Sequence, residues 1–117
     1  MKTGNAIQEM TFDFSLQIIN LYRILVVEKE FVLSRQLLRS ATSIGANVEE
    51  ATAAQSKKDF IAKMSIASKE ARETRYWLRL LDKSRLVDRD YKEELIKTEH
   101  IINILTKIVK TSQQSLS

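Results

Sequence analysis

Six side chains in one stretch, Lys69, Arg72, Arg75, Tyr76, Arg79 and Lys83, have the types and spacing to hold a polyanion. On a helix turning about 100° per residue they share about 120° of its circumference. Cations so arranged neutralise phosphates, and a tyrosine among them can stack on an unpaired base. The plainer account of the same residues is a solvated face with intrahelical pairs such as Lys69 with Glu73. Arg35 and Arg39 form a second, smaller basic group upstream. In a ring of subunits either group would be repeated around the axis, multiplying a weak single-site attraction.

Catalytic chemistry finds no comparable set. His100 is the single histidine, and it falls opposite the apolar seam of its helix, facing solvent. A di-iron bundle needs paired Glu-x-x-His motifs, but Lys97 stands three residues before His100. A ribonuclease pairing an Arg with a nearby His fails because the positions four to six residues before His100 are Ile96, Leu95 and Glu94. Hydrolytic triads lack a second suitable base, and no glycine-rich phosphate loop is present. Cysteine is absent, which removes disulfides, thiolate metal sites and thiol nucleophiles together. The expectation is a protein that is not an enzyme, with no metal, no cofactor and no small-molecule substrate.

These residues must be carried by helices. The chain has 117 residues, no proline and only Gly4 and Gly45, so the turn punctuation of a multi-strand fold is missing. Hydrophobic periodicity predicts four helical segments. The first runs from about Thr11 to Glu28, with Phe12, Leu16, Ile19, Tyr22 and Val26 as its seam and Phe14, Ile18, Leu21 and Leu25 widening the apolar face. The second, about Phe31 to Ala54, carries Leu37, Ala41, Ile44, Val48 and Ala51. Ser56 with Asp59 three residues on is a start signal for the third, which runs to about Lys83. Its seam of Phe60, Met64, Ala67, Ala71, Thr74, Leu78 and Leu81 has heptad spacing, suited to near-parallel packing in a bundle. Asp88 is the expected cap of the fourth, whose seam is Tyr91, Leu95, Thr98, Ile102, Leu105 and Val109. Short breaks between long helices imply an all-α, antiparallel up-down-up-down four-helix bundle over residues 11–110, with a poorly ordered extension at 1–10 and a frayed tail at 111–117.

Two groups of apolar residues exceed what one bundle needs. Ile66, Trp77 and Leu80 lie to one side of the third seam, and Ile101, Ile104 and Ile108 lie beside the fourth. A thick core would explain them, and so would contact with another subunit, which makes a homo-oligomer the expectation. Glu70 and Glu73 interrupt the first group, either pairing with arginines across that interface or lying in solvent. Asn47 flanks the second seam and Glu50 lies farther round, placed for a structural polar role that fixes register or bonds backbone at a neighbouring helix end.

The net charge of +4 and isoelectric point near 9.4 suit an acidic partner such as RNA. No signal-type leader follows Met1-Lys2-Thr3-Gly4-Asn5, and no stretch is expected to span a membrane. A cytoplasmic protein without a membrane partner follows.

The segment Gln36-Leu37-Leu38-Arg39-Ser40-Ala41-Thr42-Ser43-Ile44-Gly45-Ala46-Asn47-Val48-Glu49-Glu50-Ala51 resembles the signature of a bacterial four-helix-bundle family. Its members include proteins encoded in intervening sequences of large-subunit ribosomal RNA genes. Ser56 to Ile61, Met64 to Ala67, Lys69 to Thr74 and Tyr76-Trp77-Leu78 extend the resemblance, which covers about Phe14 to Val109. It implies a barrel-like homopentamer with an open centre and a basic surface. A distant relative is the accessory protein of diversity-generating retroelements, a pentamer that binds reverse transcriptase and RNA. Asn47 and Glu50 match the family's Asn and Glu, while Ala51 stands where many members have Gly, a change that favours the helix. A scaffold for RNA or a ribonucleoprotein is the functional expectation, with a protein–protein adaptor that uses no nucleic acid as the alternative.

Overall fold

The start signal at Ser56 operates as expected, because its Oγ accepts the backbone N–H of Asp59 at 3.0 Å. That bond satisfies one of the donors that every helix start leaves without an intrahelical partner. The computed structural model describes residues 2–116, with side chains from Ala6 onward. Four helices make up the fold: α1 (Lys2–Val27), α2 (Leu33–Thr52), α3 (Lys57–Ser84) and α4 (Lys92–Leu116).

Each boundary has a chemical cause. The Glu30 carboxylate accepts the N–H groups of Val32, Leu33 and Ser34 at 3.1, 3.1 and 2.6 Å, so α2 begins after Phe31 rather than at it. Asp90, not Asp88, serves α4: its Oδ1 accepts the Lys92 N–H at 2.9 Å, while Asp88 is held by Arg85. Lys29 and Arg85 adopt left-handed conformations, with φ of 66° and 56°, just past α1 and α3. At Lys29 this closes the helix end, with Lys29 N–H on the Val26 carbonyl and Glu30 N–H on the Leu25 carbonyl, both at 2.9 Å.

The outer limits differ from expectation. Helix α1 begins at Lys2 instead of Thr11, and Ile7 and Met10 pack onto the core, so the later part of the expected N-terminal extension belongs to the bundle. Helix α4 continues through the expected tail to Leu116. Met1 and Ser117, the ends of those two segments, lie outside the described residues. Short connections make α1–α2, α2–α3 and α3–α4 antiparallel neighbours, and α4 closes onto α1 along a shorter contact. The result is an up-down-up-down bundle of 48 × 21 × 21 Å.

The core confirms the α2 seam completely and the α3 seam nearly so, with Phe60 half-buried at its start. Small residues let those two helices approach closely: Thr74 Oγ1 lies 2.8 Å from Ser40 Oγ, both fully buried. Gly45 does the same toward α1, where a Cβ would meet the Thr11 carbonyl oxygen at 3.4 Å and Ser15 Oγ at 3.3 Å.

Helix α1 is rotated from its expected orientation. Its buried line is Ile7, Thr11, Phe14, Ile18, Leu21 and Leu25, the residues expected only to widen the face plus an earlier turn. Phe14 is 1% exposed, whereas Phe12, assigned to the seam, is 64% exposed, and Leu16 beside it is exposed too. Apolar residues on both sides also make Ala6–Val27 long and apolar enough for a membrane span by length and composition, against expectation. In α4, Ile101 belongs to the core at 0% exposure, so it cannot line a subunit interface. Ile104 and Ile108 are half-buried against the same core.

Candidate nucleic-acid interface

Helix α3 presents the basic row because its heptad seam fixes which side turns inward. With Met64, Ala67, Ala71, Leu78 and Leu81 buried, Lys69, Arg72, Tyr76, Arg79 and Lys83 are all exposed and Arg75 is half-exposed. Lys69, Arg79 and Lys83 make no ion pair among the described residues. The pairing of Lys69 with Glu73, the example for the plainer account of this face, is therefore not made. Arg72 donates through Nη2 to the Thr106 hydroxyl of α4 at 3.1 Å, a neutral partner that leaves its charge uncompensated. Only Arg75 is paired, with Glu99 at 2.8 Å.

Those two bonds join α3 to α4 and reveal a contribution that hydrophobic patterning did not find. Asn103 and Lys110 lie four and eleven residues after Glu99, on the same face of α4 as Glu99 and Thr106, and both are exposed. The basic row of α3 is thus bordered by a polar face of α4 to which Lys110 adds one more cation. The signal was present in the sequence as polar residues at i, i+4, i+7 and i+11, but only the Arg72 and Arg75 contacts show that they border α3.

The second basic group separates into two fates. Arg39 is tied to Glu70 at 3.5 Å and to Glu73, on the flank of α3 toward α2, beside the basic row rather than within it. Its charge is compensated, which removes Arg39 from the candidate interface and answers the question of Glu70 and Glu73: they pair within the chain. Arg35 remains exposed and makes no ion pair among the described residues.

Trp77 is half-buried against the core and donates its Nε1–H to Glu73 Oε2 at 2.9 Å. The Tyr76 ring meets it edge-on, with centroids 5.2 Å apart and planes at 70°. Of the other expected interface residues, Ile66 is exposed and Leu80 half-buried. Asn47 bonds within its own helix, from Nδ2 to the Ser43 carbonyl at 2.9 Å and to Ser43 Oγ at 3.2 Å, rather than to a neighbouring helix end. Glu50 instead links α2 to α3 through Lys63 at 2.9 Å. Hydrogen bonding to that carboxylate, with its charge, raises the Lys63 pKa above its ordinary value of 10.5. His100 is exposed on α4, and among the described residues no group of three His, Cys, Asp or Glu side chains is placed to hold a metal.

The chain is similar to a solved structure of a protein of unknown function from the S23 ribosomal protein family of Bacteroides thetaiotaomicron. They share 45% identity with a TM-score of 0.88, over 92% of this chain and 98% of the other. No curated protein matches the sequence. A family match described as 23S rRNA-intervening sequence protein spans residues 4–107. That span takes in nearly the whole bundle, from the first turn of α1 to the middle of α4, so the chain belongs to the 23S rRNA-intervening sequence protein family.

Proposed function

We propose that this protein is a cytoplasmic, non-enzymatic scaffold that assembles into a ring-like homo-oligomer and binds RNA, or a ribonucleoprotein, through the basic face of α3 and α4. The observation that carries the reading is the charge state of that face. Among the described residues, four of its five α3 cations have no acidic partner, although acidic residues are abundant elsewhere on the surface. A solvated helix face held together by intrahelical pairs would have used them.

Filter binding of structured RNA over a range of salt concentrations tests this. Each phosphate neutralised contributes about 0.7 to 0.9 to the slope of log affinity against log salt, so four cations give a slope of about −3 or steeper. A flat response, or no binding near about 100 mM salt, overturns the reading.

Assembly is supported by apolar surface that the bundle leaves open. Phe12, Leu16, Ile24 and Val27 on α1 and Ile66 on α3 are exposed, and different patches meeting head to tail are what closes a ring. Five is the subunit number that the family resemblance implies. A monomer in light scattering at micromolar protein would overturn it. The α1 face also favours a second reading, an adaptor that recruits a partner protein without nucleic acid. That partner would survive nuclease treatment in a pull-down, and a partner lost with the RNA would eliminate the adaptor.

A further inference from the structure

Tyr76 has cations at i−7, i−4, i+3 and i+7: Lys69, Arg72, Arg79 and Lys83. All four lie on its side of α3, and none is in an ion pair among the described residues. At a rise of about 1.5 Å per residue the row is about 21 Å long, with the tyrosine at its middle. The single acidic group next to Tyr76 on this helix is Glu73, already bound by Arg39 and Trp77.

The ring itself is held. Trp77 is fixed by packing and by its bond to Glu73, and it meets Tyr76 edge-on, leaving the tyrosine 55% exposed. A ring already oriented loses little freedom when a base stacks on it. A duplex has no use for such a platform, since its bases are stacked on one another and it offers a shallow surface only phosphates and sugars. An unpaired strand offers both phosphates and a free base face.

Resting on the RNA-binding reading above, we infer that this face takes an unpaired RNA strand, with one base stacked on Tyr76 and the flanking phosphates on Lys69, Arg72, Arg79 and Lys83. The cations supply affinity, and the tyrosine supplies selectivity for unpaired over paired RNA.

Fluorescence anisotropy with the full chain tests it, using an unstructured RNA of about twelve nucleotides and a duplex of the same length. Tyr76→Ala weakens binding of the single strand about ten-fold and leaves duplex binding within about two-fold, while Tyr76→Phe keeps most of the affinity because the π-face remains. The double variant Arg72→Ala/Arg79→Ala weakens both RNAs and lowers the single-strand salt slope by roughly 1.4. Unchanged single-strand binding by Tyr76→Ala, an equal loss on both RNAs, or a change in oligomer size by light scattering overturns the stacking role. In those cases the RNA-binding reading still stands if the double arginine variant weakens binding. Failure of both RNAs to bind the wild-type chain overturns both readings, and binding of the duplex alone overturns the stacking role.

Discussion

The two hairpins of the bundle bury their inner faces in the same manner and treat their outer faces in opposite ways. Residues 1–56, holding α1 and α2, carry five Lys and Arg against six Asp and Glu; residues 57–117, holding α3 and α4, carry fourteen against nine. The first hairpin leaves Phe12, Leu16, Ile24 and Val27 in the open, while the second exposes Lys69, Arg72, Arg79 and Lys83. A bundle needs only one stripe per helix for its own stability, so the rest of each helix is free to serve another purpose. On the function proposed above, one hairpin meets protein and the other meets phosphate.

The largest test of that contrast sits within α1. Phe14→Ala empties a fully buried site and lowers unfolding free energy by about 3–5 kcal/mol at any protein concentration, measured by denaturant titration. Phe12→Ala, two residues away, leaves the stability of the monomer nearly unchanged and, on the assembly proposed above, shows its loss only at protein concentrations where the wild-type chain associates, as a weaker dependence of stability on concentration. Equal, concentration-independent losses would break the division into inner and outer faces.

The close approach of α1 to α2 is the next target. Gly45→Leu forces bulk against the Thr11 backbone and costs about 1–3 kcal/mol in the same titration. Salt-dependent RNA affinity stays unchanged per folded molecule, since the basic face belongs to the other hairpin.

A smaller effect separates the hairpins by pH. Burial raises the Tyr91 pKa above its ordinary value of 10.0. The folded state therefore holds that proton more tightly than the unfolded chain, so the contribution to stability is complete below about pH 10 and is lost as pH rises above it. Tyr91→Phe forfeits the 2.9 Å hydrogen bond to the Val87 carbonyl, costing about 1 kcal/mol at neutral pH, and flattens the alkaline decline. Thermal melts from pH 7 to 11 read both changes.

The smallest difference lies in the two left-handed helix ends. Lys29→Gly relieves a side chain in a conformation that costs non-glycine residues about 1 kcal/mol, so the melting temperature rises slightly. Arg85→Gly relieves the same strain but sacrifices ion pairs with Asp82 and Asp88, each worth between about 0 and 1 kcal/mol at an exposed site. Its net gain is smaller than that of Lys29→Gly.

Much of the fold and the basic row is legible in the sequence, and the exceptions are specific. The α2 and α3 seams are unambiguous because their other faces are small or charged. In α1, by contrast, Phe12-Leu16-Ile19 and Ile7-Thr11-Phe14-Ile18-Leu21-Leu25 both have heptad spacing, on nearly opposite sides. Thr11 made the true seam look less apolar, although its hydroxyl is satisfied by the Ile7 carbonyl at 2.8 Å. In α4, Glu94 similarly disguised the line that leads to Ile101, while Thr98, Ile102 and Leu105 are buried as expected. Glu94 is buried beside Arg89, whose guanidinium also lies 5.1 Å from the Tyr91 ring centroid.

Sequence by itself determined four helices, their order, the inward face of α2 and α3, and therefore the outward direction of the α3 cations. Those properties depend on local periodicity and capping, which the chain carries residue by residue. Tertiary structure decided which of two apolar stripes on α1 turns inward, that Ile101 is core, that Arg39 is neutralised while Arg72 and Arg79 are not, and that α4 borders the basic face. Each of these depends on which helix stands opposite, a relation between distant residues that the spacing along one helix does not contain.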